Sequence, residues 1–494
     1  MKLIFRGHDD RYAVEQSLLA FFPEERPVYE PAEDGEDHAL VTLSRSPRYN
    51  TAVTTITYHG RTARGISRTA VDPQLTEYEA ERLRQKAVKL SFFKAAREIT
   101  GITPSWGALT GIRPGKLASR MLEEGMTERQ VDRVLRDTYF VSPERRRLCI
   151  ETAEASRRAK ADLRPEDISL YVGIPFCPTR CAYCSFVSQS VERTLGLVEP
   201  YLEVLHREIT DAARMVEETG LHIKSFYMGG GTPTTLSADQ MDRLLTHLNR
   251  SFDLSGCVEY CIEAGRPDTI DREKLQVLLD HGVDRISVNP QSLEDHVLTA
   301  IGRRHTARDV EEAMALATGM GFPHVNMDLI AGLPEDTPEG FRRTLDKCLS
   351  YGADNITVHT LSLKKGSRIL LENFTIPSAE AVGEMLDYAN AALRQADFHP
   401  YYLYLYRQKY MSGSFENTGW CISGAEGLYN IYIMEELHSI LSLGAGGSTK
   451  MVDPVHQRIE RVFHTKYPTE YIQRSEKLEE NLSAFRQFHE NMRG

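Results

Sequence analysis

Between Ile168 and about Leu370 the sequence switches repeatedly between short apolar runs of β type and longer runs of helical period. The β-type runs lie at 168–174, 224–228, 258–263, 284–289, 325–330 and 355–361. Helical runs at 199–218, 237–249, 271–281, 306–319 and 337–350 fall between them. A strand that returns through a helix must re-enter the sheet parallel to its predecessor, by a right-handed crossover. Six such units predict an α/β chain built on a partial (β/α)6 barrel. In that architecture the chemistry sits on the loops at the C-terminal strand ends.

The loop after the first strand is the unusual one. Tyr171 to Phe186 reads YVGIPFCPTRCAYCSF and places Cys177, Cys181 and Cys184 at Cys-x3-Cys-x2-Cys spacing. Three thiolates on one short loop can hold three irons of a 4Fe–4S cluster, which ordinarily takes four cysteines. With no fourth cysteine in the loop, one iron is left to bind something else, the mark of a reactive centre. A zinc site is the alternative, but zinc loops pair Cys-x2-Cys knuckles at matching spacing, and none occurs here.

The second strand ends in Met228-Gly229-Gly230-Gly231-Thr232-Pro233. Consecutive glycines let backbone amides and carbonyls approach a ligand closely. The expectation is that a valine at Gly230 or Gly231 blocks that ligand while cluster and fold survive. Glu263 ends the third strand, Gln291 follows the fourth, and Asp328 lies in the fifth. Taken singly, each is what a rim hydrogen bond or a helix cap would use. Together they put polar groups on one rim of the barrel.

A chain of 494 residues is too long for one ordinary core. We divide it into a small α+β unit at 1–70, a helical region at 71–164, the barrel at 165–375 and a C-terminal mixed domain at 376–494 that covers the substrate. The formal charge of −11 argues against nucleic acid as a partner. No apolar run approaches the ~20 residues needed to span a bilayer. The beginning, MKLIFRGHDD, lacks a signal-peptide pattern, and eight sparse cysteines suggest no disulfide framework. The expected location is the cytoplasm. Tyr401, Tyr402, Tyr404 and Tyr406 could wall an aromatic ligand or serve as packing.

The cysteine spacing, with Tyr183 before the third cysteine, resembles the radical S-adenosylmethionine (SAM) superfamily. IPFCPTRCAYCSF, GGGTPT, VHTLSLKKGS at 358–367, YRQKYMSGSFENTGW at 406–420 and LGAGGSTK at 443–450 are most similar to the oxygen-independent coproporphyrinogen III dehydrogenase family, in its HemZ-like subgroup. The resemblance implies a 4Fe–4S cluster on Cys177, Cys181 and Cys184, and one or two SAM molecules. It assigns Tyr171, Gly230 and Glu263 to the cluster-bound SAM. Tyr183, Gly231, Thr232, Gln291, Arg303 and Asp328 match positions that contact a second SAM, with Arg304 as the alternative to Arg303. The implied reaction is oxidative decarboxylation of two propionates of coproporphyrinogen III to vinyls, with an electron donor such as flavodoxin or ferredoxin. Arg303, Arg304, Arg407 and Lys409 are candidate propionate anchors.

Two departures keep other readings open. Cys184 is followed by Ser185-Phe186, as in haem chaperones, where the best-known dehydrogenases have Gly-Cys. The chaperone's His-Asn-x-x-Tyr-Trp motif is absent too, its place taken by Tyr429 to Met434. The alternatives are a haem chaperone that binds without turnover, and a haem-ring-opening radical SAM methyltransferase.

Overall fold

A computed structural model describes residues 1–33, 35–109, 113–184, 188–363, 369, 374–406, 415–456 and 458–493. In chain order the elements are β1 (Lys2–Arg6), α1 (Arg11–Phe21), β2 (His38–Arg45), β3 (Tyr49–Tyr58), β4 (Arg61–Ala70), α2 (Glu77–Thr100), α3 (Pro114–Glu123), α4 (Glu128–Asp137) and α5 (Pro143–Ala161). Then follow β5 (Asp167–Ile174), β6 (Phe176–Cys177), β7 (Gln189–Ser190), α6 (Val191–Thr194), α7 (Val198–Glu218), β8 (His222–Gly230), α8 (Ala238–Ser251), β9 (Tyr260–Glu263), α9 (Arg272–Asp280) and β10 (Arg285–Ser287). The rest is α10 (Asp295–Ala300), α11 (Ala307–Gly319), β11 (His324–Ala331), α12 (Pro338–Ser350), β12 (Asn355–Thr360), α13 (Ala379–Gln395), β13 (His399–Tyr406), β14 (Phe415–Cys421), α14 (Leu428–Glu435), β15 (Ile440–Leu443), β16 (Ser448–Asp453), β17 (Arg458–Phe463), α15 (Pro468–Gln473) and α16 (Ser475–Arg493).

The chain forms two compact units, Met1–Ile150 with Leu405–Glu416, and Glu151–Tyr404 with Asn417–Gly494. In the first, β1 to β4 make a sheet in sequence order whose buried residues alternate along β2 and β3, the period of a half-buried strand. Helix α2 starts at a capping box in which Thr76 and Glu79 satisfy each other's backbone amides. Phe93 of α2 meets Phe21 of α1 edge to face at 5.1 Å. Glu416 is buried in the same unit, accepting from Trp106 Nε1 at 2.7 Å and pairing with Arg145 at 2.8 Å. Burying that carboxylate is tolerable because both partners are in place.

The second unit is an α/β structure on one large sheet, ordered β13-β14-β12-β11-β10-β9-β8-β5-β15-β16-β17. The six central strands from β5 to β12 are parallel neighbours in chain order, as the strand–helix alternation predicts for a partial barrel. Their crossover helices carry capping boxes at Ser237/Gln240 and Thr306/Asp309. Strands β9 and β10 are shorter than their apolar runs. The chain after Ser287 leaves the ladder, and Gln291 takes a left-handed conformation with φ 67°.

The C-terminal residues extend this sheet from both sides. Gly419 of β14 lies opposite Thr357 of β12, antiparallel. Leu443 of β15 lies beside Val172 of β5, parallel. The stretch 429–443, ambiguous in sequence, divides into α14 and β15, with Glu436 in the left-handed conformation (φ 55°) ending the helix. The buried Glu208 of α7 fixes this region by accepting from Gly444 N at 2.8 Å and from the Tyr471 hydroxyl. Tyr401 and Tyr402 are buried in a cluster with Ala155, Ala159, Cys421 and Tyr432, so these two tyrosines are packing residues. No helix among the described residues is long and apolar enough to cross a membrane.

Candidate active site

The cysteine loop leaves β5 at the C-terminal end of the sheet, where the alternation places reactive loops. Its first residues pair briefly with β7, Cys177 opposite Ser190. The loop is anchored to the barrel rim at three points. Ala182 N donates to Ile301 O at 2.9 Å, Thr179 Oγ1 donates to Gly302 O at 3.2 Å, and Thr232 N donates to Phe176 O at 2.7 Å. Two side chains address the sulfurs. Thr232 Oγ1 lies 3.5 Å from Cys177 Sγ, and Arg266 Nη1 lies 3.7 Å from Cys181 Sγ. Donors of this kind stabilise thiolates and tune clusters. Burial pushes the Cys177 thiol up, and the contacts from Thr232 and Ser188 oppose it.

The glycine run meets this loop. Gly231 N donates to Ile174 O at 2.9 Å. A Cβ on Gly231 would sit 2.5 Å from Phe176 O and 2.7 Å from Ile174 O, so this glycine admits the chain's own backbone. Gly230 is different: it holds φ 99°, and a Cβ there would meet the Tyr171 hydroxyl at 2.9 Å. The expectation that both positions could carry a valine with the cluster loop intact is therefore corrected for Gly231. Gly229, which sequence reasoning did not single out, has the Glu263 carboxyl 3.0 Å from its would-be Cβ.

Glu263 accepts from the Tyr227 hydroxyl, and burial raises it to about 7. Tyr171, Tyr227 and Tyr429 form a stack behind these groups, with Tyr227 and Tyr429 centroids 4.5 Å apart and their planes at 17°. On the next strands, Gln291 N donates to Asp328 O at 3.0 Å, while its Oε1 is buried with no hydrogen-bond partner among the described residues. Burial works against ionised Asp328, yet His359 and the 2.8 Å bond from Asn326 hold its carboxyl below the ordinary range. Sequence reading singled out neither Asn326 nor His359, although His359 lies in the VHTLSLKKGS segment at 358–367.

Arg303 is buried and faces the cysteine loop. Its Nη1 donates to Asn289 O at 2.7 Å and to Gly265 O at 3.2 Å, and its Nη2 donates to the Tyr183 hydroxyl at 3.0 Å. Arg304 points outward and pairs with Glu192 at 2.6 Å. The one-residue ambiguity is thus resolved in favour of Arg303 as the inward group. Arg303→Met would strand the Tyr183 hydroxyl and two carbonyls, and leaving a buried polar group unsatisfied costs about 1–3 kcal/mol. Arg304→Met removes a surface pair, worth about 0–1 kcal/mol. Denaturant melts of both variants should show that ordering. Arg407, Lys409, Ser185 and Phe186 lie outside the described residues.

The structure thus brings Tyr171, Gly230 and Glu263 to one side of the rim, and Tyr183, Gln291, Arg303 and Asp328 to the other, with Gly231 and Thr232 against the loop. The donor set fits an iron–sulfur cluster: three thiols on one loop, hydrogen-bond donors at two of them. The rim fits a nucleoside, since it offers a glycine cradle, a buried carboxyl and the unsatisfied Gln291 Oε1.

Comparison with known proteins identifies the family. The Radical SAM superfamily profile matches residues 171–348. The oxygen-independent coproporphyrinogen-III oxidase-like protein HemZ of Bacillus subtilis is 36% identical over 476 residues, 95% of this chain and 94% of that protein. The chain belongs to this family. Among other relatives of this HemZ-like radical SAM protein, the haem chaperone HemW of Bacillus subtilis is 29% identical over 64% of the chain and 82% of its own length. The structure of coproporphyrinogen III oxidase (HemN) from Escherichia coli shares the fold, with a TM-score of 0.51 at 22% identity over 66% of this chain and 72% of that one.

Proposed function

We propose that this HemZ-like protein oxidatively decarboxylates propionate side chains of a coproporphyrinogen to vinyl groups. The observation that carries the reading is the 36% identity to the HemZ protein along 95% of the chain, where the HemW chaperone aligns with only 64%. Cys177, Cys181 and Cys184 would hold the 4Fe–4S cluster. Tyr171, Gly230 and Glu263 would hold the methionine part of SAM, whose amine suits a carboxylate partner. Tyr183, Gly231, Thr232, Gln291, Arg303 and Asp328 would receive the remainder or a second SAM. When bound, the cluster and SAM supply a radical able to remove one hydrogen atom from a propionate β-carbon. Each turnover then releases one carbon dioxide and passes one electron to an acceptor.

The chain's own residues do the rest. The buried Ile174 and Phe176 keep water from the loop. Arg303 fixes Tyr183, and Tyr227 fixes Glu263. Residues 376–494 cover the porphyrinogen, and an electron donor such as flavodoxin or ferredoxin reduces the cluster in the cytoplasm. Glu263 makes the reading pH-sensitive. Held at about 7, its carboxyl is largely neutral below that pH and must ionise to pair with the SAM ammonium. SAM affinity should therefore rise as pH increases from 6 to 8, by about tenfold per pH unit below 7, and Glu263→Gln should flatten the profile while weakening binding.

The deciding experiment is anaerobic incubation of the reconstituted protein with SAM, a reductant and either coproporphyrinogen III or haem. Vinyl products with matching 5′-deoxyadenosine support the reading. Haem retention with no 5′-deoxyadenosine formed in the presence of porphyrinogen would transfer it to the chaperone class, and a methylated linear tetrapyrrole to the ring-opening class.

A further inference from the structure

At the opposite end of the sheet from the cysteine loop, three donors converge. His399 begins β13, Cys421 ends β14, and Glu426 lies in the turn that follows. Cys421 stands opposite Asn355, the first residue of β12, which places the group at the N-terminal strand ends. His399 Nε2 is 3.0 Å from Glu426 Oε1 and 3.5 Å from Cys421 Sγ, and the three donor atoms lie within 4.8 Å of one another.

Both the thiol and the carboxylate approach the same ring nitrogen. Nε2 carries at most one hydrogen, so it can serve only one of them, and a nucleophile–histidine–acid relay would need the acid on the other nitrogen. A cation between the three uses every lone pair at once. We propose that His399, Cys421 and Glu426 form a zinc site. A nitrogen, a sulfur and an oxygen donor are the set zinc takes, and three protein ligands leave a fourth position to water. Zinc bonds of about 2.0–2.3 Å at tetrahedral angles separate donors by roughly 3.3–3.7 Å, close to the 3.0 and 3.5 Å from His399 Nε2 to the other two donors.

The turn carrying Glu426 is held in place without a metal. Asn355 Nδ2 donates to Ala425 O at 2.8 Å, Arg285 Nη2 donates to Ala425 O at 3.0 Å and Glu426 O at 3.2 Å, and Leu428 N donates to Glu259. Cys421 forms the buried floor, whereas the His399 and Glu426 side chains are about a third and a quarter exposed, so an ion can enter from solvent. Glu426 also lines a cavity of about 130 Å³ with Glu259, Asp284, Arg285 and His324, in which Arg285 offsets Glu259 at 3.8 Å. Burial and the neighbouring Glu426 push the Cys421 thiol up, and Arg285 and Arg158 oppose that shift.

The test uses the full chain in two forms, the reconstituted holoprotein and a Cys177→Ser/Cys181→Ser/Cys184→Ser background in which zinc cannot occupy the cluster loop. Zinc is titrated against a chromophoric chelator, and cobalt(II) substituted for zinc reports a sulfur ligand by its charge-transfer band. One zinc per chain is expected in both forms. Loss of an outer-shell partner already costs about 10–100-fold in affinity, so His399→Gln and Glu426→Gln, partly exposed and close in size, should each weaken zinc by at least about 100-fold with the far-ultraviolet spectrum unchanged. Cys421→Ser should remove the cobalt–sulfur band. No zinc in either form, or the parent protein's affinity retained in the histidine and glutamate variants, would overturn the site.

Discussion

Cys181→Ala is expected to give a folded protein with no sulfur-to-iron absorption and no SAM cleavage. Cys181 sits between the other two ligand positions, and its sulfur receives the Arg266 guanidinium. With one of three thiolates gone, the loop can fix two irons only, too few to orient a cluster with a defined open position. Cys177→Ala and Cys184→Ala should behave alike. Cys261→Ala is the control. That thiol is buried on β9, so its loss should cost about 1 kcal/mol of stability and leave the cluster intact. Iron and sulfide content, with 5′-deoxyadenosine as the activity readout, distinguishes the two classes. A cluster that survived Cys181→Ala but not Cys261→Ala would remove the site from this loop.

Gly231→Ala should be nearly as damaging, by another route. One methyl group at this position must displace the carbonyls of Ile174 and Phe176, which are backbone and cannot rotate aside. Overpacking of this kind typically costs about 1–3 kcal/mol, and here the strain falls on the residue immediately before Cys177. Cluster loading and SAM binding should be lost together. Gly230→Ala should separate them. Its left-handed backbone costs an alanine about 1–2 kcal/mol, and the new methyl group presses on the Tyr171 hydroxyl, away from the thiols. The cluster spectrum should persist while SAM affinity falls. A Gly231→Ala protein with full iron content would show that the strand and loop can part without loss.

Strand–helix alternation was readable because the period changed at every unit, even where β9 and β10 stop short of their apolar runs, and the parallel order β5 to β12 follows from it directly. Cys177, Cys181 and Cys184 were readable because their spacing is itself chemical. The supports were not. Arg266 reaches Cys181 across 85 residues, and Asn326 meets Asp328 only because a strand presents both to one face. Arg303 and Arg304 look alike in sequence, since direction at the end of a short helix depends on a turn that residue types do not fix. The ambiguous 429–443 run has the same origin: its apolar residues suit helix or strand, and the break at Glu436 is a backbone choice without glycine.

The position of β15 has a consequence for how the protein is made. Strand β5, which delivers the cysteine loop, takes its second neighbour from residues that leave the ribosome some 270 residues later. At about 5–20 residues per second, that interval is roughly 15–50 s. Throughout it one edge of β5 has no partner, and an open edge is a template for pairing with another chain. A nascent chain stalled before Leu443 would therefore carry the cysteine loop on a strand that still lacks one of its two sheet neighbours.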